Sequence, residues 1–125
     1  MKSSSFFAIL FTFSFLFIAC EHTTKPQSHT GEVVVRSASS KLHITNKTDA
    51  PIYYFVVGRV SAASINWVAF SNVSNRIVKD STMSIPYNDI YRGEHEKEVI
   101  VHWWHAARPG TAARGDEIHG IVVEL

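Results

Sequence analysis

Lys41-Leu42-His43-Ile44-Thr45-Asn46-Lys47-Thr48-Asp49-Ala50-Pro51-Ile52-Tyr53-Tyr54-Phe55-Val56-Val57 decides the fold class. Leu42 and Ile44 point one way along an extended chain and His43 and Thr45 the other, which predicts a strand with one wet face over 41–46. From Ile52 to Val57 both faces are apolar, with β-branched and aromatic side chains, so 51–57 suits a central strand. Between them, Asn46 and Asp49 can bond their own turn backbone, and Pro51 fits the first position of a strand. This reading predicts that 41–46 and 51–57 pair through the Asn46–Ala50 turn.

The same punctuation runs outward from that stretch. Short runs rich in Val, Ile, Tyr, Phe and Trp alternate with Asn, Asp, Ser, Gly and Pro, predicting further strands at 32–36, 65–70, 75–79, 83–87, 97–104 and 117–124. The apolar run 99–104 is a second central candidate. No window repeats apolar residues at helical spacing with a polar opposite face, and only Val60 to Ile65 could hold one short turn of helix. Seven or eight short strands in one region predict an all-β fold, a single antiparallel β-sandwich over 31–125.

The first 19 residues are a different polymer. Lys2 and Ser3 to Ser5 precede an apolar run from Phe6 to Ala19 that holds six of the eight Phe. This is the charged-then-apolar order of a secretory signal, and at 14 residues the run is short for a membrane span of about 20. Phe17-Ile18-Ala19-Cys20 resembles the lipobox of bacterial lipoproteins, in which the cysteine becomes the mature N-terminus. That resemblance implies cleavage before Cys20, lipidation of its sulfur with diacylglycerol and acylation of its amino group, and several buried chains suffice for durable anchoring. Glu21 is not the Asp of the familiar inner-membrane retention pattern, which favours the outer membrane. Residues 20–30 contain no apolar residue after Cys20 and read as a flexible tether reaching on the order of 15–20 Å.

The pattern Leu42-x-Ile44-x-Asn46-x-Thr48-x-x-Pro51-Ile52-Tyr53-Tyr54 resembles the opening of small secreted immunoglobulin-like sandwich domains of bacterial lipoproteins. The resemblance implies a fold and no active-site residues, because such domains serve many roles. The Cys-Trp-Cys core of true immunoglobulin domains is absent.

The 106 residues from Cys20 onward carry eleven Lys and Arg against eleven Asp and Glu. A balanced chain of one domain's length lacks the basic excess that nucleic acid requires and excludes a multidomain enzyme. Its one cysteine is at the processing junction, so the folded part has no disulfide or thiol nucleophile. His102, His105 and His119 are the candidate metal ligands, with Asp116 as an accompanying acid, although His102 and His105 fall on opposite faces of a strand. Trp103 and Trp104 must also face opposite sides, so one is expected between the sheets and the other exposed or covered by a loop. Either Trp, with Tyr53, is a candidate binding platform for a sugar ring or protein partner. Arg108 and Arg114 lie in a long connection, 106–116, and could meet an acidic ligand. No pair of carboxylates is positioned across a cleft, and neither a nucleophile elbow nor a glycine-rich phosphate loop is present. The sequence therefore predicts a lipid-anchored envelope protein without enzymatic activity or cofactor, acting as a binding or structural module. Cell-wall glycan binding through Trp and Tyr is the first alternative, and a histidine-based metal carrier or small metal-dependent hydrolase is the second.

Overall fold

The computed structural model describes residues 28–30, 32–106, 110, 112–114 and 117–125. Eight strands follow in chain order: β1 (Ser28–Thr30), β2 (Val33–Ala38), β3 (Lys41–Asn46), β4 (Ile52–Gly58), β5 (Arg76–Ile77), β6 (Thr82–Pro86), β7 (Glu98–Trp104) and β8 (His119–Glu124). They form two four-stranded sheets, ordered β1-β2-β3-β6 and β5-β4-β7-β8, with every neighbouring pair antiparallel. The protein is an all-β sandwich.

Alternation builds the core. Val33 and Val35 of β2 and Leu42 and Ile44 of β3 face Ile52 of β4, Val99, Val101 and Trp103 of β7 and Ile121 and Val123 of β8 in one buried cluster. The opposite face of the first sheet is wet, as predicted, and its side chains pair across strands: His43 Nδ1 lies 2.8 Å from Ser84 Oγ and Thr45 Oγ1 2.8 Å from Thr82 Oγ1. Ser39 and Ser40, at φ 54° and 61°, form the two-residue turn between β2 and β3. Both being left-handed matches the twist a tight hairpin needs.

The expected pairing of 41–46 with 51–57 is wrong. β3 pairs with β2 and β6, whereas β4 lies in the other sheet between β5 and β7. The turn between them is a corner that carries the chain across the sandwich, and the buried side chain of Asn46 holds it. Asn46 Nδ2 donates to Ala50 O at 2.8 Å and to Ile77 O of β5 at 2.9 Å, while Oδ1 accepts the Thr48 amide at 2.9 Å and lies 2.7 Å from the Thr48 hydroxyl. The backbone of Asn46 is engaged as well, with Ser81 O and the Asp80 amide. A central position for β4 and β7 is correct, and so is the helical turn, a 3₁₀ turn at Ser61–Ser64.

Two further boundaries differ. Residues 65–70 form no strand; they run as a strap across the outer face of the second sheet, with one isolated bridge from Phe70 to Ala112. Trp67 and Ala69 pack against that face instead of adding to its edge. The segment read as tether ends earlier than expected, because Ser28–Thr30 already pairs with β2.

At the end of the sandwich remote from Asn46, the Glu96 carboxylate gathers the loops. It accepts the Ser61 hydroxyl at 2.7 Å and the amides of Val60, Ser61 and Gly93. A Cβ on Gly58 would overlap the Glu96 carboxylate and crowd Arg92 Cβ, so a side chain there would displace the carboxylate from this position.

Two outcomes are expected. Asn46→Ala strands the carbonyls of Ala50 and Ile77 and the Thr48 amide, and should cost about 2–4 kcal/mol in urea unfolding; a loss under about 1 kcal/mol would contradict the role of the corner. The Ser61 hydroxyl bond, followed by the backbone amides, holds Glu96 down at about 2. Its contribution is present above pH 4.5 and lost as pH falls toward 2, so Glu96→Gln should flatten the fall in stability across that window.

Candidate functional site

Trp103 and Trp104 end β7 on opposite faces, and both are buried, at 5 % and 1 % exposure. Trp104 lies on the outer face, beneath the strap. Its indole N–H donates to Ser71 Oγ at 2.9 Å, and Trp67 packs 6.1 Å from its ring. Trp67 also stacks on Phe55 at 4.6 Å and leans on His102 at 4.8 Å, while Tyr53 and Ala69 are buried in the same cluster. Burial in these surroundings lowers the pKa of His102 from its ordinary 6.5 and favours the neutral ring. The flat exposed platform expected of Trp103, Trp104 or Tyr53 is therefore absent. The strap covers one Trp and the sandwich core the other.

Trp103 faces inward at the end of the core. The register sets His119 of β8 directly opposite, and the two rings stack at 4.1 Å with an 18° tilt. His105, one residue beyond β7, meets Trp103 edge-on at 5.7 Å. His105 Nδ1 lies 3.0 Å from Pro51 O; because a carbonyl only accepts, Nδ1 is the donor.

These three rings line a cleft of about 430 Å³ together with Glu32, Thr48, Asp49 and Ala50. The space continues past both histidines into a further 350 Å³ lined by Ala106 and Glu117. The size suits a small ligand. Two connections build this side of the cleft: the β1–β2 turn brings Glu32 and the Asn46 corner brings Thr48 and Asp49, and a 2.8 Å bond from the Lys47 amide to Glu32 O ties them together. The rim acids have cationic neighbours, Lys79 at 3.6 Å from Asp49 and Arg114 at 3.5 Å from Glu117. The indole N–H of Trp103, although shielded from solvent, has no hydrogen-bond partner among the described residues. A buried donor left unpaired is costly, and such groups are rare in folded proteins.

The expected histidine set divides accordingly. His105 and His119 converge on Trp103, but His102 points to the outer face and cannot join them. No group of three or more His, Cys, Asp or Glu able to hold a metal ion occurs among the described residues. Arg114 is exposed at the distal part of the cleft beside Glu117; Arg108, Asp116 and Cys20 lie outside the described residues. Sequence reasoning missed Glu32, Thr48 and Asp49. The signal available for two of them was Asn46-x-Thr48-Asp49, whose self-bonding turn residues mark a corner at the end of a buried strand.

Because His102 is packed as a neutral ring, its contribution to stability is present above about pH 6.5 and lost as acidification forces a proton onto it. Urea midpoints of wild type measured from pH 7.5 to 5 should fall more than those of His102→Phe, which keeps the aromatic contact without the titration. Parallel midpoints in the two proteins would contradict the packing role.

No family model, curated protein or solved structure matches this chain.

Proposed function

We propose that this chain is a lipid-anchored protein of the cell envelope, held at the outer membrane through Cys20, whose sandwich is a binding module and not an enzyme. The lipobox-like leader supports the anchor. The observation that carries the binding reading is the cleft at the strand ends, which brings His105 and His119 together beside Trp103 with Glu32, Thr48 and Asp49.

The composition of the cleft favours one ligand chemistry. Imidazoles beside carboxylates matched by nearby Lys79 and Arg114 suit a neutral group that both gives and receives hydrogen bonds. Hydroxyls of a cell-wall glycan meet that description, bound by hydrogen bonds at the strand ends and not by stacking on an exposed Trp. The direction of the chain is compatible with this use. β1 enters beside Val35, half-way along β2, and runs toward the cleft end, so the cleft is presented away from the point where the tether joins the domain.

Calorimetric titration of the full-length protein with soluble peptidoglycan fragments tests the reading. Saturable binding is expected, weakened at least tenfold in His105→Ala/His119→Ala at an unchanged thermal midpoint. Absence of binding, or equal binding by the variant, would refute glycan recognition in this cleft.

A further inference from the structure

The strap that hides Trp104 has a second face. Its inner side is fixed: Ser71 receives the Trp104 indole, Ala69 O accepts the Ala113 amide at 2.8 Å, and Asn75 Nδ2 donates to Phe70 O at 2.8 Å. Asn72 and Asn75 then close a reciprocal cap on the 3₁₀ turn Val73–Asn75. A segment held this firmly does not expose apolar side chains through looseness. It nevertheless turns Val68, Phe70 and Val73 outward, at 70 %, 47 % and 78 % exposure.

Charge sets the same region apart. Between Asp49 and Asp80 the chain has no acidic residue, and its charges there are Arg76, Arg59, which pairs with Glu98, and Lys79, which lies 3.6 Å from Asp49. Arg76 stands opposite Tyr53 in the β4–β5 pair, and Tyr53 belongs to the outer-face cluster beneath the strap, so this cation shares the face of the strap. Exposed apolar side chains beside a cation match the boundary of an anionic bilayer.

We propose that the strap face, centred on Val68, Phe70 and Val73, docks onto the membrane that carries the Cys20 anchor; this rests on the anchored reading above. Three side chains alone hold a soluble domain to lipid only weakly. The anchor changes that, because eight residues from Cys20 to Ser28 span at most about 27 Å, so the domain stays within reach of the surface and docking becomes intramolecular. The same length lets a domain of roughly 13 Å radius of gyration roll until its apolar face meets lipid. The docked domain has the exposed side chains of the strap against the bilayer.

Hydrogen exchange with mass spectrometry on the full-length acylated protein, reconstituted in phosphatidylethanolamine–phosphatidylglycerol vesicles, tests the inference. The reference is the unacylated Cys20→Ser chain in buffer. Peptides covering 66–75 should exchange at least threefold more slowly on vesicles, while those covering β3 on the opposite sheet remain unchanged. In acylated Val68→Asp/Val73→Asp, whose changes fall on exposed positions and should leave the thermal midpoint unaltered, the slowing should disappear although the protein stays on the vesicles. Equal exchange in acylated and reference proteins, with the acyl mass present, overturns docking and leaves the anchor standing. Protection found only in native membranes and not in protein-free vesicles also overturns it, in favour of a protein partner. An intact mass without lipid removes the anchor and the docking together.

Discussion

The buried carboxamide of Asn46 is the constraint on which the rest of the structure depends. Two sheets packed only by aliphatic side chains can slide, because dispersion and the hydrophobic effect have little directionality. Asn46 fixes them at one end, from β3 in the first sheet to Ile77 of β5 in the second, with its two N–H groups and its carbonyl oxygen all engaged. That corner also sets the start of β4, and through the β4–β7 register it sets where Trp103 and Trp104 stand. The cleft inherits its geometry from the same corner, since Thr48, Asp49 and the Pro51 carbonyl that orients His105 all belong to it.

The paired Trp residues distribute this order to the two faces of the second sheet. Trp104 organises the outer face, where Ser71, Trp67 and the strap close over it. Trp103 ends the inner core and meets His105 and His119. One satisfied indole and one unsatisfied indole, adjacent in sequence, thus have different consequences: the first nails down a structural cover and the second leaves a polar demand at the mouth of the sandwich. The strap serves both sides, burying Trp67 and Ala69 beneath it while it presents Val68, Phe70 and Val73 outward.

Much of the fold was legible in the sequence because alternation reports directly on burial. Leu42 and Ile44 against His43 and Thr45 locate β3 to the residue, and the two-sided apolar run after Pro51 identifies a central strand. Alternation does not say which strand lies alongside, so the Asn46–Ala50 segment reads equally as a hairpin or as a corner between sheets; the bond from Asn46 to Ile77, 31 residues away, is what distinguishes them. The strap misleads for a related reason. Trp67 and Ala69 alternate as a strand would, but they pack on a sheet face. The division of the histidines between faces followed from strand geometry, whereas the convergence of His105 and His119 needed the β7–β8 register and Glu32 needed the β1–β2 turn.

Anchor, cleft and strap form one physical account. In the account proposed here, a lipid at Cys20 would confine the domain, the exposed apolar side chains of the strap would settle on the bilayer, and the cleft at the strand ends would remain open to the envelope. The intact mass and acyl-chain content of the native protein extracted from membranes, beside a Cys20→Ser version, test this account most directly. It predicts a mature chain beginning at Cys20 with the added mass of diacylglycerol and an N-acyl chain, absent from the Ser version. An unmodified chain recovered in the soluble fraction would contradict it.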